Sequence, residues 1–172
     1  YVDSDPYLDI DEKIAEVAQA IADTCARLDF PMPVILMEPG RSIVADAGMT
    51  LYTVDSVKRI PGYKQYAAVD GGMTDNPRYA LYQSRYTVYH AHKSGSLERF
   101  DVVGRCCESG DIIQPGVELP GDTCRGDILA VCTTGAYNYS MASNYNRLPR
   151  PAVVMLTPDR IYEAVRRETF AD

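Results

Sequence analysis

Met49-Thr50-Leu51-Tyr52-Thr53-Val54-Asp55-Ser56-Val57-Lys58-Arg59-Ile60-Pro61-Gly62-Tyr63-Lys64-Gln65-Tyr66-Ala67-Ala68-Val69-Asp70-Gly71-Gly72 decides the fold class. β-Branched and aromatic residues recur along it and Pro61-Gly62 divides it, which predicts strands over 49–58 and 65–70. The same texture continues downstream, with further strands expected at 86–92, 99–104, 127–133 and 152–156. Ser94-Gly95, Pro115-Gly116 and Pro120-Gly121 read as turns between them. A mainly β domain, built on an antiparallel sheet, therefore occupies residues 45–172. Its tail, residues 159–169, places Ile161, Tyr162 and Val165 on one side and reads as a terminal helix capped by Thr157 or Asp159.

Upstream the periodicity changes. Ile10, Ile14, Val17, Ile21, Cys25 and Leu28 recur at spacings of three and four, the stripe of an amphipathic helix, with Asp9 and Glu12 as its capping box and Pro31 beyond its end. Val34-Ile35-Leu36-Met37, wholly apolar between Pro33 and Pro39, reads as a strand buried on both faces. One helix and one such strand cannot close a sheet, so residues 1–44 are expected to be the terminal piece of a larger α/β unit.

The net charge of −7, from 24 acidic and 17 basic side chains, argues against a nucleic-acid partner. The five cysteines form no C-x-x-C pair, so neither a disulfide framework nor a zinc site is expected, and a reducing cytoplasm fits them. No apolar run reaches the length of a membrane span, and the N-terminus is acidic where a signal peptide is basic. His90 and His92 share a strand face without the carboxylates or cysteines of a metal site; a structural or exposed role is the simpler reading.

Four segments could carry chemistry. Glu38-Pro39-Gly40-Arg41 ends the apolar run and can open a helix over Ser42-Ile43-Val44, where free N–H groups and Arg41 suit a phosphate; the plainer reading is a capped turn. Arg78 and Tyr82, four apart after Gly71-Gly72, share one face if helical and could grip a carboxylate, or simply stack in a solvated loop. Cys107-Glu108-Ser109-Gly110-Asp111, preceded by Cys106, gathers carboxylates for an ammonium group and a thiol able to pass a proton, though a cysteine at a strand end is often only a small buried residue. Gly135-Ala136-Tyr137 lets an aromatic ring approach a planar ligand closely, or merely ends a strand.

In this order the four motifs, with Tyr145-Asn146-Arg147 and Pro149-Arg150-Pro151 behind them, resemble the C-terminal landmarks of the diaminopimelate decarboxylases. That family belongs to the alanine-racemase-like, pyridoxal-phosphate-dependent enzymes, with a (β/α)8 barrel followed by a β-sandwich domain of Greek-key type. The resemblance implies that residues 1–44 end such a barrel and that 45–172 form the C-terminal domain. It implies decarboxylation of meso-2,6-diaminopimelate to L-lysine and CO2, a step of lysine biosynthesis. Glu38, Gly40, Arg41 and Tyr137 would contact pyridoxal 5'-phosphate. Arg41, Arg78, Tyr82, Glu108 and Tyr137 would contact substrate, and Cys107 would be the proton donor. It also implies a homodimer with shared active sites, in which Cys107 and Glu108 serve the neighbouring subunit.

The family's cofactor lysine lies upstream of the matched region, and none of Lys13, Lys58, Lys64 and Lys93 stands in a matching motif. This polypeptide alone is thus expected to be inactive and to retain the cofactor poorly. Ornithine, arginine and carboxynorspermidine decarboxylases resemble the same pattern. The first two act on substrates with no second carboxylate, which would leave Arg78 a buried cation without its counterpart. A non-catalytic dimerisation module is the alternative from another class.

Overall fold

The computed structural model describes residues 2–172, which divide into two compact units, Asp3–Pro39 and, with Val2, Gly40–Asp172. In the first unit the expected helix forms as α1 (Ile10–Arg27), and Asp9 caps it by accepting the Glu12 N–H at 3.1 Å. None of its residues is buried, so its apolar stripe, Ile10, Ile14 and Val17 included, faces outward in this chain.

Residues 34–37 depart from expectation: they belong to no strand among the described residues, and Val34 and Leu36 are each 89% exposed. A strand buried on both faces takes its hydrogen bonds from neighbours on either side, and no such neighbours are present among the described residues. Apolar composition alone does not make a ladder.

The second unit opens with a single helical turn, α2 (Arg41–Val44), and then builds its sheet. The strands are β1 (Thr50–Ile60), β2 (Lys64–Val69), β3 (Val88–His90), β4 (Leu97–Val103), β5 (Ile112–Pro120) and β6 (Ile128–Val131), with a short helix α3 (Arg78–Tyr82) between β2 and β3. They form one sheet in the order β3-β6-β1-β2-β4-β5, antiparallel throughout except for the parallel pair β2 and β4. The sheet curls into a nearly closed barrel: Gln114 of β5 accepts the N–H of Tyr86, just before β3, at 2.9 Å and links the two edges. The mainly β expectation is met, with both walls of the core drawn from one continuous sheet.

Along the strands the buried side chains tend to lie two residues apart. Tyr52 and Val54, Ala67 and Val69, Phe100 and Val102, Ile113, Leu119, Leu129 and Val131 are all buried in one core. Phe100, Ile113, Leu119 and Leu129 are fully enclosed, each contributing roughly 1.5–3 kcal/mol by removal from water.

β5 went unread in the sequence because Pro115-Gly116 and Pro120-Gly121 look like turns. It is an edge strand, where a missing N–H costs no ladder bond, and Gly116 takes φ +66° at an irregularity in its pairing with β4. The proline-glycine pair therefore bends this strand without ending it.

The terminal helix is a second correction. Residues 161–165 form the strand β8 (Ile161–Val165), antiparallel to β7 (Val153–Leu156) across a four-residue turn at 157–160. The Thr157 N–H donates to the Arg160 carbonyl at 3.0 Å, and the Arg160 N–H donates to Thr157 Oγ1 at 3.2 Å. Ile161 and Val165 are β-branched, and once the turn brings β7 alongside, cross-strand pairing outweighs a weak helical preference.

Candidate active site

The site residues of the second unit lie on loops that leave one end of the sheet. Gly71-Gly72 follow β2 and lead into α3, whose single turn puts the Arg78 guanidinium 4.5 Å from the Tyr82 ring centroid, so these two share a face as their spacing requires. The strand end after β6 carries Gly135-Ala136-Tyr137. Tyr137 adopts φ +68°, and its ring centroid lies near two guanidiniums, 5.3 Å from Arg78 and 5.6 Å from Arg41. Arg78 is only 8% exposed, whereas Tyr82 and Tyr137 keep open faces at 60% and 42%. Two cations and two rings thus form one continuous group, Arg41, Tyr137, Arg78 and Tyr82.

What brings Arg41 there is a backbone seam. The Thr134 N–H donates to the Gly48 carbonyl and the Gly135 N–H to the Ala45 carbonyl, both at 3.0 Å, tying α2 and the turn after it to the end of β6. A Cβ on Gly135 would stand 2.0 Å from the Val44 carbonyl oxygen, so only glycine permits this approach. Gly135→Ala is expected to destabilise the protein by about 1–3 kcal/mol in denaturant unfolding. Gly95→Ala, where a Cβ meets nothing within 4 Å, should stay within about 0.5 kcal/mol of wild type.

Asp111 organises the other half. Its carboxylate is buried and accepts the Met73 N–H at one oxygen and the Cys106 N–H at the other, each at 2.6 Å, which joins the loop after β2 to the loop after β4. The loop between β4 and β5 then presents Cys107 and Glu108 outward. Glu108 Oε1 accepts the Gly110 N–H at 3.2 Å, and Oε2 accepts the Tyr145 hydroxyl at 3.4 Å.

The two adjacent thiols are not equivalent. Burial, and then the Asp111 carboxylate beside it, push the Cys106 thiol up to about 11, so it stays protonated and unreactive near neutrality. Cys107 is exposed. The two neighbouring thiols thus differ in exposure, Cys106 half-buried beside Asp111 and Cys107 open to solvent.

Of the residues singled out from sequence, the structure brings Gly40, Arg41, Arg78, Tyr82 and Tyr137 together. Cys107 and Glu108 make their bonds to residues 145 and 146 of the loop that follows Tyr137. Glu38 lies in the first unit, exposed. His90 serves a turn, its Nδ1 accepting the His92 and Lys93 N–H groups at 3.2 and 2.9 Å. Sequence reasoning passed over Asp111 as an organiser and Met141, whose sulfur lies 3.8 Å from Arg78 Nη1; neither carries a signal until the loops are folded together.

The donor set fits a phosphorylated aromatic ligand at one end. A Cβ on Gly40 would come within 2.9 Å of the Tyr137 hydroxyl, so the glycine lets that hydroxyl approach the backbone just before Arg41, whose guanidinium lies near the same ring. Among the lysines Lys13 pairs with Glu16, Lys64 with Asp101 and Lys93 with Asp127. Among the described residues no helix is long and apolar enough to cross a membrane.

The family described as "Pyridoxal-dependent decarboxylase, C-terminal sheet domain" matches residues 7–135. Over 174 aligned residues the chain is 47% identical to the diaminopimelate decarboxylase of Bacillus subtilis, covering 100% of this chain and 39% of that protein. Its structure is similar to that of the M. jannaschii diaminopimelate decarboxylase in complex with L-lysine, with a TM-score of 0.80, 34% identity and coverage of 91% and 36% of the two chains. For the Helicobacter pylori diaminopimelate decarboxylase complexed with L-lysine the corresponding values are 0.79, 32%, 98% and 39%. The chain spans about two fifths of the length of the curated relatives it matches.

Proposed function

Because the chain belongs to the pyridoxal-dependent decarboxylases through their C-terminal sheet domain, we propose that the complete protein converts meso-2,6-diaminopimelate to L-lysine and CO2. The observation that carries this reading is the Arg41, Tyr137, Arg78, Tyr82 group, because it offers two guanidiniums to a substrate with a carboxylate at each end. Glu108 adds the carboxylate that a distal ammonium needs. Ornithine, with one carboxylate, would use only half of this equipment.

In this reading residues 1–44 complete a (β/α)8 barrel, which gives the exposed stripe of α1 and the unladdered run 34–37 their missing neighbours. Residues 45–172 form the C-terminal domain. Pyridoxal phosphate, when bound, supplies the sink for the electron pair released as CO2 departs. Toward it Glu38 would face the pyridine nitrogen, Gly40 and Arg41 would lie near the phosphate, with Arg41 also able to reach a substrate carboxylate, and Tyr137 would contact both cofactor and substrate. Arg78 and Tyr82 hold the distal carboxylate, Glu108 holds the distal ammonium, and Cys107 returns a proton to the substrate carbon that lost CO2. Two subunits share each site in a cytoplasmic homodimer, with Cys107 and Glu108 acting in the neighbour's site.

The test is a side-by-side assay of the complete protein with meso-diaminopimelate, ornithine and carboxynorspermidine. We expect kcat/KM for the first to exceed the others by about 10²-fold or more, since a site built to hydrogen-bond a second carboxylate discriminates strongly against a substrate that lacks it. Preference for ornithine or carboxynorspermidine overturns the reading. The polypeptide of 172 residues alone should release no CO2 from any of the three.

A further inference from the structure

Cys107 and Glu108 stand on an exposed turn, where side-chain packing does little to fix them, yet a proton donor has to be held within a fraction of an ångström to be useful. The turn is gripped from outside. The Cys107 N–H donates to Asn146 Oδ1 at 2.7 Å, a short bond in line with a well-formed acceptor, and the neighbouring Tyr145 hydroxyl reaches Glu108 Oε2 at 3.4 Å. Consecutive residues of one loop thus hold consecutive residues of the other.

The gripping loop is itself braced. Asn146 (φ 55°, ψ 20°) and Arg147 (φ 61°) are both left-handed without being glycine, a conformation that persists only where surrounding contacts enforce it. At its base the Ser143 N–H donates to the Thr74 carbonyl at 2.8 Å, which ties it to the loop carrying Arg78. Asn144 Nδ2 donates to the Leu148 carbonyl at 3.0 Å and to Glu168 Oε2 at 2.7 Å. Glu168 in turn accepts the Arg150 N–H at 2.8 Å and Arg150 Nε at 2.6 Å. These bonds, led by Arg150, lower the Glu168 carboxyl to about 2, so the brace is ionised near neutrality.

We infer that Asn146 is a positioning residue, whose side-chain oxygen fixes the Cys107 main chain so that the thiol meets the substrate carbon, with Tyr145 fixing Glu108 beside it. The inference rests on the decarboxylase reading for its consequence, but the bond itself is independent of that reading. Its left-handed backbone allows a clean dissection. Asn146→Gly keeps the conformation and removes the acceptor, whereas Asn146→Asp keeps an acceptor and tolerates the same φ.

Two measurements on the complete protein decide it. Amide hydrogen exchange at Cys107 is expected to quicken by roughly tenfold or more in Asn146→Gly and to stay within about threefold of wild type in Asn146→Asp. With meso-diaminopimelate, Asn146→Gly should lower kcat by roughly 10–100-fold with KM changed less than about threefold, and Asn146→Asp should restore most of kcat. Unchanged kcat in Asn146→Gly, or equal loss in both variants, overturns the positioning role, as does exchange at Cys107 that ignores the side chain. Wild type without activity overturns the function proposed above instead, and the exchange arm still reports on the bond.

Discussion

Cys107→Ala in the complete protein is expected to lower kcat for meso-diaminopimelate by roughly 10²–10⁴-fold while leaving KM within a small factor, because in the proposed reaction the thiol would act on the carbon that has lost CO2 and not on the groups that bind substrate. The neighbouring thiol provides the control. Cys106 is pushed up to about 11 by burial and by Asp111, so Cys106→Ala should cost stability more than turnover. If Cys107 serves the partner's site, mixing the Cys107→Ala subunit with one mutated at its cofactor lysine restores about a quarter of wild-type activity. Half of randomly paired dimers are then mixed, and each mixed dimer holds one intact site. A stopped assay of the mixture against each variant alone measures this; no recovery places Cys107 in its own subunit's site.

Arg78→Lys carries the second large effect. The substitution keeps the positive charge but loses the planar fork that lies against Tyr82 and Tyr137 and that can bind a carboxylate through two bonds. We expect kcat/KM for meso-diaminopimelate to fall by about 10²-fold, mainly through KM, since the distal carboxylate is bound equally in ground and transition states. A diamino acid lacking that carboxylate should be affected by less than about tenfold. An equal loss for both substrates would mean that Arg78 supports the fold of its loop and does not read the far end of the substrate.

The β domain was legible from sequence where β-branched and aromatic runs stand between turn residues. Tyr52 and Val54, Phe100 and Val102, and Leu129 and Val131 stand in such runs, and each pair is buried. Legibility failed where a local signal has two tertiary answers. Pro115-Gly116 signals a turn, but on an edge strand it makes a bulge. Ile161, Tyr162 and Val165 fit a helix by spacing, but a partner strand four residues back claims them for a hairpin. Residues 34–37 carry the composition of a buried strand and have no strand to pair with among the described residues.

For the candidate site the division is similar. By itself the sequence determined which chemical groups are present and in what order: Arg41, Arg78 with Tyr82, Cys107 with Glu108, and Tyr137. It determined these because each sits in a short motif whose glycines and turn residues have local causes. Only the tertiary structure decided that Tyr137 lies within reach of two guanidiniums, that Cys106 is the less exposed thiol of its pair, and that Asn146 bonds to Cys107 across 39 residues of chain. Those facts depend on burial, on charge at a distance and on bonds between loops, and such quantities exist only once the curled sheet has brought its loop ends together.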